Sequence, residues 1–421
     1  MSREIFVYMD LLSKPFFVGN LWLKKKDGEE RATFEYSKRW LENPVSMALE
    51  PALQLGKGKY HTKDQAFFGS ISDSAPDRWG RTLMDRMEAR KAKQENRKAR
   101  KLLESDYLLM VDDFTRLGAL RFKTDHKGPF LANYDKSKIP PLVELGSLLN
   151  KANRIVSLEE NNKDLQDVFE PGSSLGGARP KASVKDNNGK LYIAKFPSPK
   201  DDYDVALWEY IALNLAKEAN IKVPNFYLHN VSGKNVLILD RFDRSEDSRI
   251  PFLSAMSMLN AKDYETRSYL EIGEALIENS YNPKENLQEL WKRMAFNVLS
   301  SNLDDHLRNH GFIFNLNKKG WELSPMYDLE PLPEKVKARF LQTSIDLDDK
   351  TASIDLAFEV CEEFDYSLSE AKDEAQNIAK KTKQWKKVAQ DLKVRRQEID
   401  FMSSAFENED LKKALNPYLI Y

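Results

Sequence analysis

The chain has very little cysteine, because Cys361 is the only one among its 421 residues. A single cysteine excludes an internal disulfide and a zinc site built from several cysteines. Chains without disulfides suit a reducing compartment. The amino-terminal stretch also lacks the long apolar core and small-residue cleavage site of a secretory signal. We therefore expect a cytoplasmic protein.

The sequence also lacks long apolar runs and a large net charge of either sign. No apolar run approaches the roughly 20 residues that a membrane-spanning helix needs, so we expect no membrane partner. The net charge of −1 gives no overall attraction to nucleic acid or to an anionic surface. An apolar content of 41% and a charged content of 31% predict a soluble globular protein of two or three domains.

The order of the patterns along the chain predicts an α+β protein with two lobes and a β-rich amino-terminal subdomain. Residues 1–120 show short alternating runs, typical of antiparallel strands, and then a basic helix around Arg86–Lys101. We interpret that helix as a solvated face, with an acidic partner or nucleic acid as the alternative. Residues 121–245 predict a hairpin with an Asn-Gly turn, an amphipathic helix and buried strands. Residues 246–421 are predicted to be mostly helical, with one further hairpin.

The segment PGSSLGGARPKAS predicts a turn that cradles phosphate. Gly172, Gly176 and Gly177 would let backbone N–H groups approach a phosphate closely, and Ser173 and Ser174 lie between them. Adjacent glycines and serines also occur in ordinary turns, so the interpretation of this segment depends on the residues that follow it.

A lysine and a glutamate follow that turn in the order found in protein kinases. Lys195 ends the next predicted strand, in LYIAKFP, and resembles the kinase lysine that binds the α- and β-phosphates. Glu209 lies on the following amphipathic helix, between Trp208 and Tyr210, where the ion-pair partner of such a lysine is expected. The alternative is a surface lysine and a solvent-facing glutamate.

The segment LDRFDR is interpreted as a hinge between two lobes. Backbone groups around Asp240, Arg241 and Phe242 would then read the edge of an adenine ring. Any side chain could accompany such a role.

The segment NLDDHLRNHGF, followed by SPMYDLEP, predicts a phosphoryl-transfer site. Asp304 and Asn309 repeat the Asp-x-x-x-x-Asn spacing of a kinase catalytic loop, and Asp328 follows the next predicted hairpin. Asp304 would serve as the base, while Asn309 and Asp328 would hold Mg²⁺, which prefers oxygen ligands. His306 is expected to orient the loop by hydrogen bonds.

Two alternatives remain open for this segment. Asp305 competes with Asp304 for the role of base, and only geometry decides between them. His306 and His310 could bind zinc if they lie on a helix, although the sequence offers no convincing third ligand.

Taken together, these motifs resemble the HipA family of toxin kinases. SSLGGARPKAS is similar to that family's Gly-rich loop, IAKFPS to its lysine strand, LDRFDR to its hinge, and NLDDHLRNHGF with SPMYDLEP to its catalytic and metal segments. GSISDSAPDRWGR resembles the family's amino-terminal region, so the resemblance covers nearly the whole chain. The stretch between the Gly-rich loop and Lys195 is shorter than in the best-known member, which leaves Lys181 and Lys185 as alternatives to Lys195.

The resemblance implies a kinase fold distantly similar to phosphatidylinositol 3/4-kinases, which uses ATP and Mg²⁺. It also implies serine/threonine phosphorylation of a protein, an aminoacyl-tRNA synthetase in the best-known branch, and inhibition of growth. Family members phosphorylate a serine of their own Gly-rich loop, and Ser174 aligns with it, with Ser173 as the neighbouring alternative. They are neutralised by a HipB-like helix-turn-helix antitoxin, so operator DNA would be reached mainly through that partner. The alternatives are a small-molecule or lipid phosphotransferase, and an antitoxin-binding corepressor scaffold.

Overall fold

The computed structural model describes residues 2–26, 28–132, 139–172, 179–245 and 248–419. The chain divides into two compact units. The first unit comprises Met1–Asp201 and Phe226–Leu253, and the second comprises Asp202–Asn225 and Ser254–Tyr421. The predicted three-part boundaries at residues 120 and 245 stay a prediction.

The amino-terminal part of the first unit is built on a five-stranded antiparallel sheet. In spatial order its strands are β4 (Lys59–His61), β3 (Glu29–Tyr36), β2 (Lys14–Lys26), β1 (Ser2–Leu11) and β5 (Leu120–Lys123). Every second side chain of β3 is buried, as expected for a sheet with one solvated face. A β-carbon on Gly19 would lie 2.2 Å from the carbonyl oxygen of Glu35, so the close approach of β2 and β3 requires glycine there.

Within its described residues, the first unit has three short helices, of four to seven residues, and three longer ones, of 11 to 17 residues. Their bounds are α1 (Lys38–Leu41), α2 (Gly69–Ser72), α3 (Arg78–Gln94), α4 (Glu104–Met110), α5 (Leu145–Ser157) and α6 (Asn162–Gly172). The prediction that the basic helix extends to Lys101 is wrong, because α3 ends at Gln94. Asn96 then takes a left-handed conformation, with φ of 50°, and Arg97 folds back onto Glu88.

A second antiparallel sheet completes the first unit. In spatial order its strands are β6 (Lys181–Lys185), β7 (Leu191–Lys195), β9 (Lys234–Asp240) and β8 (Phe226–Val231). The predicted Asn-Gly hairpin is confirmed, since β6 and β7 pair directly around Gly189, which has φ of 84°. Helices α3, α5 and α6 share one buried core with this sheet, and the Trp79 indole N–H donates to the Lys181 carbonyl at 3.1 Å. A two-stranded ribbon, β10 (Arg244–Ser245) with β11 (Ser248–Arg249), follows the sheet.

The second unit is mainly helical. Its helices are α7 (Val205–Glu218), α8 (Ala255–Met258), α9 (Tyr269–Asn279), α10 (Pro283–Leu299), α11 (Ile354–Glu359), α12 (Leu368–Thr382), α13 (Trp385–Asp391), α14 (Arg396–Phe406) and α15 (Glu409–Leu415). Strand β12 (Phe252–Ser254) leads into it, and the predicted second hairpin is confirmed as β13 (Gly311–Asn315) with β14 (Gly320–Leu323). The α+β class is therefore confirmed, with antiparallel sheets and a helical carboxy-terminal part.

Helix α10 is the central support of the second unit. Trp291, Met294 and Phe296 are completely buried along it, and Pro283 occupies its first turn, where no backbone N–H donor is needed. Buried Arg293 donates to the Ser324 carbonyl at 2.8 Å and pairs with Glu289, which fixes the hairpin exit against the helix. No helix in the described ranges combines the length and apolar character that crossing a bilayer requires.

Candidate functional site

The predicted catalytic loop leaves helix α10 on a buried support. Ser300, Ser301, Asn302 and Leu303 are all buried, and Ser301 takes a left-handed conformation with φ of 50°. The Asn302 N–H closes this turn by donating to the Asn297 carbonyl at 2.9 Å. The backbone therefore enters the loop in a fixed direction before it reaches Asp304.

The two adjacent aspartates of the loop have opposite environments. The Asp304 side chain is 51% exposed, whereas Asp305 is 1% exposed. The Asp305 carboxylate accepts from the Tyr269 hydroxyl at 2.7 Å and from the Gln342 N–H at 2.7 Å. Burial raises the pKa of Asp305 to about 6. The geometry therefore makes Asp305 a support of the loop, and Asp304 is the exposed carboxylate of the pair.

A chain of buried polar groups connects this support to the segment that carries Asp328. The Asn297 amide donates to the Tyr269 hydroxyl at 2.9 Å, and the Asn302 amide donates to the Asn297 side-chain oxygen at 2.9 Å. The Asn302 side-chain oxygen accepts from the Glu330 N–H at 3.0 Å. Because these groups are shielded from water, each depends on its partner for a hydrogen bond. This network of hydrogen bonds therefore favours one arrangement of the loop.

Asn309 is fixed onto Asp304 by its side chain. Its Nδ2 donates to the Asp304 carbonyl at 2.8 Å, and its N–H donates to the His306 carbonyl at 2.7 Å within the 3₁₀ turn Leu307–Asn309. Only the NH₂ group of an amide can donate to a carbonyl. The orientation of the amide is therefore determined, and its side-chain oxygen is the atom that this hydrogen bond does not use.

The two histidines of the loop differ in their surroundings. His310 is buried, its ring centroid lies 5.2 Å from that of Tyr269 in an edge-to-face arrangement, and its Nε2 lies 3.1 Å from the Asp305 carbonyl. Burial lowers the pKa of His310 to about 4, so the ring is neutral near pH 7 and Nε2–H is its donor. The Nδ1 of His306 is enclosed and has no hydrogen-bond partner among the described residues.

No group of three His, Cys, Asp or Glu residues with metal-binding geometry is present in the part of the chain that the structure describes. The zinc alternative for His306 and His310 therefore gains no support from it. The 3₁₀ turn between them is also not the helix that this alternative assumed.

Asp328 follows the hairpin, as its position in the sequence predicts. It has φ of 55°, a left-handed conformation that aspartate adopts more readily than most residues. The Tyr327 hydroxyl donates to the Arg308 carbonyl at 2.8 Å, and the Met326 N–H donates to the Lys222 carbonyl at 2.8 Å. The structure thus joins the segments of Asp304, Asn309 and Asp328 within the second unit.

The predicted nucleotide-binding residues fall partly outside the described residues. Ser173, Ser174, Gly176 and Gly177 lie outside them, and Gly172 is the last residue of α6. The predictions for the Gly-rich loop therefore stay predictions.

Two of the candidate lysines face each other across strands β6 and β7. Lys181 is directly opposite Lys195 in the antiparallel register, so their side chains lie on the same face of the sheet. Their neighbours Ala182 and Ala194 belong to the buried core with the helices, which places the lysines on the other face. Lys181 is buried and Lys195 is half-buried. Both remain candidates.

Glu209 belongs to the second unit, on α7, whereas Lys195 belongs to the first. It is 6% exposed and follows Trp208, which is 1% exposed. The interpretation of Glu209 as a solvent-facing residue is therefore wrong. The ion pair with Lys195 stays a prediction.

The predicted hinge residues lie at the exit of β9. The Asp240 carboxylate pairs with the Lys190 ammonium at 2.6 Å. The ring centroids of Phe242 and Phe252 lie 6.0 Å apart. The Arg241 guanidinium is buried, where it binds Asp243 at 2.6 Å and the Thr115 carbonyl at 2.9 Å. The Arg241 side chain is therefore engaged within the first unit, and the role of its backbone in adenine binding stays a prediction.

The arginines of the basic segment are held in ion pairs. Arg86 and Arg90 both pair with Glu160, at 3.2 and 3.4 Å. Arg97 pairs with Glu88, and Arg100 with Asp106, each at 2.6 Å. These pairs support the interpretation of this segment as a solvated face.

Models of two HipA domains match this chain. A HipA N-terminal domain matches residues 10–105, and a HipA-like C-terminal domain matches residues 173–395.

Curated proteins and solved structures are also similar to this chain. A protein of Haemophilus influenzae named as a kinase is 27% identical over 189 residues, which cover 39% of this chain and 54% of that protein. The serine/threonine-protein kinase CtkA of Helicobacter pylori is 24% identical over 193 residues, which cover 42% of this chain and 58% of CtkA. The chain thus spans a little over half the length of each of these curated relatives.

One similar solved structure is that of the Shewanella oneidensis HipA in its complex with HipB and operator DNA. It superposes with a TM-score of 0.65 at 16% identity, covering 98% of this chain and 97% of the other. This likeness confirms that the fold is of the HipA type. Since the matching C-terminal domain alone spans residues 173–395, more than half of the sequence, the chain belongs to the HipA family.

Proposed function

We propose that this protein is an ATP-dependent serine/threonine protein kinase that acts as a HipA-type toxin. One observation carries the proposal: Asn309 is hydrogen-bonded to the backbone of half-exposed Asp304, and the segment of Asp328 is bonded to the same loop through Tyr327. Phosphoryl transfer needs a reachable carboxylate beside fixed oxygen ligands.

The proposed reaction transfers the γ-phosphoryl group of ATP to a hydroxyl of a protein. The hydroxyl oxygen forms a bond to the γ-phosphorus, the bond from that phosphorus to the β–γ bridging oxygen breaks, and ADP leaves with the electron pair. Asp304 orients the hydroxyl and receives its proton. Asp305 takes no direct part, because its carboxylate is engaged by Tyr269 and Gln342.

The donors at this site fit Mg²⁺. Asn309 offers a side-chain carbonyl oxygen whose orientation is set by the bond from its NH₂ group, and Asp328 offers a carboxylate. Both are oxygen ligands of the kind that Mg²⁺ prefers. When bound, Mg²⁺ neutralises charge on the phosphates, and we assign its binding to Asn309 and Asp328.

We assign nucleotide binding to the residues that the family resemblance indicates. Lys195 would bind the phosphates, with Lys181 and Lys185 as alternatives, and Glu209 would pair with that lysine. Ser174, Gly176 and Gly177 would cover the phosphates, while the backbone at Asp240, Arg241 and Phe242 would meet the adenine. The register that sets Lys181 opposite Lys195 supports a cationic sheet face.

A protein substrate is favoured over a small molecule or a lipid by the exposure of Asp304. At 51% side-chain exposure, its carboxylate is accessible to the bulky surface around a protein hydroxyl. An enclosed pocket would suit a small substrate better. An aminoacyl-tRNA synthetase is the substrate that the family resemblance suggests.

A HipB-like helix-turn-helix antitoxin is the proposed partner in the cytoplasm. The fold match with a HipA that was solved with HipB and operator DNA supports it. Contact with DNA would be mainly indirect, because Arg86, Arg90, Arg97 and Arg100 already have acidic partners within the chain. Phosphorylation of Ser174, with Ser173 as the alternative, is the proposed self-inactivation.

Phosphate transfer in vitro tests the proposal. The purified protein is incubated with Mg²⁺ and γ-labelled ATP, alone and with a phosphatase-treated bacterial lysate, and phosphopeptides are identified by mass spectrometry. We expect labelled serine or threonine in the protein itself and in a small number of lysate proteins. Label confined to lipids or small molecules would replace the protein-kinase proposal, and antitoxin binding without any transfer would favour the scaffold alternative.

A further inference from the structure

The segment of residues 332–343, which we call the strap, follows the catalytic loop closely. The Leu332 N–H donates to the Ser301 carbonyl at 2.9 Å, and the Gln342 N–H donates to the Asp305 carboxylate at 2.7 Å. Arg339 donates to the Ser301 hydroxyl and to the Val298 carbonyl, the latter at 3.1 Å. The strap therefore holds the loop on both sides of Asp304.

Lys337 is the strap residue that reaches Asp304. Its Nζ donates to the Leu303 carbonyl at 2.6 Å and lies 3.9 Å from the Asp304 carboxylate. The side chain is 28% exposed, while its neighbours Val336 and Ala338 are exposed. A lysine loses rotamer freedom when it is held in this way, and an ion pair this exposed contributes little to stability.

The positive charge beside the Asp304 carboxylate does not come from the basic residue within the loop. Arg308, the only Lys or Arg between Asp304 and Asn309, pairs with Asp263 at 2.9 Å. The positive charge beside Asp304 comes instead from Lys337, thirty-three positions further along the chain. Its location after Asp328 explains why the motif in the loop gives no indication of it.

We infer that Lys337 is a positioning residue for phosphoryl transfer. Its ammonium fixes the carbonyl that precedes Asp304, and it places one positive charge beside the Asp304 carboxylate. That charge offsets the repulsion between the carboxylate and the triphosphate, so Asp304 can stay close to the hydroxyl as the reaction proceeds. The inference rests on the proposed kinase function.

A purely structural role would resemble that of Arg339. Arg339 ties the strap to Ser301, to Val298 and to Asp410, the last at 2.6 Å, so its loss should lower the melting temperature. Loss of Lys337 should instead lower turnover and leave the melting temperature and the KM for ATP nearly unchanged. The two residues therefore provide contrasting variants on one segment.

The experiment compares Lys337→Met with Lys337→Arg, and takes Lys335→Met as the matched control, because Lys335 is an exposed lysine two positions earlier. We expect Lys337→Met to lower kcat by about tenfold or more, Lys337→Arg to restore most of it, and Lys335→Met to behave as wild type. In an Asp304→Asn background the effect of Lys337→Met should largely disappear, because interacting residues are not additive.

Three results would overturn the inference: wild-type turnover in Lys337→Met, an equal loss in both backgrounds, or a loss that accompanies a lower melting temperature and is not restored by arginine. A wild-type protein that transfers no phosphate would contradict the proposed function itself, and the inference would fall with it.

Discussion

The side-chain amide of Asn309 donates to the backbone carbonyl of Asp304 across 2.8 Å. This bond couples the proposed metal ligand to the proposed base, so that the position of one sets the position of the other. It also leaves the side-chain oxygen as the amide atom that the proposed Mg²⁺ site would use.

Tyr327→Phe should weaken the response to Mg²⁺. The substitution removes the hydroxyl that donates to the Arg308 carbonyl at 2.8 Å, a bond of about 1 kcal/mol, and loosens Asp328 relative to Asn309. We expect several-fold more Mg²⁺ to be needed for half-maximal activity. Tyr281→Phe is the control, because the Tyr281 hydroxyl donates to Glu322 on the hairpin. Equal Mg²⁺ curves for wild type and Tyr327→Phe would contradict the coupling.

Asp305 should make stability depend on pH. Burial raises its pKa to about 6 in the folded protein, above the unfolded value of about 4, so the folded state holds the proton more tightly. The contribution to stability is full below about pH 4 and is lost as the pH rises to about 6, by on the order of 3 kcal/mol.

The measurement is urea unfolding of wild type and Asp305→Asn at several pH values across this window. As the pH rises, the free energy of unfolding of wild type should fall relative to that of Asp305→Asn. Asp348→Asn, which removes an exposed carboxylate, is the control. A difference for Asp305→Asn that stays constant with pH would show that Asp305 does not titrate in this window.

Substitutions of the three candidate lysines should differ in how far they lower kcat/KM for ATP. We expect Lys195→Met to lower kcat/KM for ATP by roughly 100-fold, since an ammonium on the phosphates stabilises the transition state. Lys181→Met should have a smaller effect, although Lys181 lies opposite Lys195 in the sheet. Lys185→Met completes the series. If the largest loss fell on Lys181 or Lys185, the nucleotide lysine would be reassigned.

Ser174→Ala should prevent self-inactivation. A phosphate on this loop adds about −1.5 to −2 charges and would repel the phosphates of ATP. Wild-type protein incubated with Mg²⁺ and ATP should gain one phosphate and lose activity, whereas Ser174→Ala should stay active. Ser173→Ala is the matched control. Unchanged phosphopeptides and unchanged loss of activity in Ser174→Ala would reject this site.

The pattern of the sequence was sufficient for the local elements. The Asn-Gly hairpin between β6 and β7 has its turn residues at the required positions, since the Asp186 side chain accepts from the Asn188 and Lys190 N–H groups. The length of the basic helix was not predictable in this way. Lys, Gln and Ala are good helix formers, yet α3 ends at Gln94 and Arg97 folds back to Glu88.

Only the structure shows which of the two adjacent aspartates is buried and which is exposed. Adjacent residues of one type in a loop have no periodicity that separates an inward from an outward side chain. Asp305 is buried because Tyr269, Gln342 and Thr343 converge on it from distant segments. Buried asparagines at positions 297 and 302 were a signal in the apolar run FNVLSSN that could have indicated a polar network. Nothing near the loop indicated Lys337.

The turnover of Asp304→Asn tests the central claim most directly. The side chain is half-exposed and its removal should not disturb the fold, so wild type, Asp304→Asn and the control Asp348→Asn can be compared at equal melting temperature. The account predicts that Asp304→Asn lowers kcat by about 10² to 10⁴ and that Asp348→Asn leaves it unchanged. Near-normal phosphoryl transfer by Asp304→Asn would contradict the account.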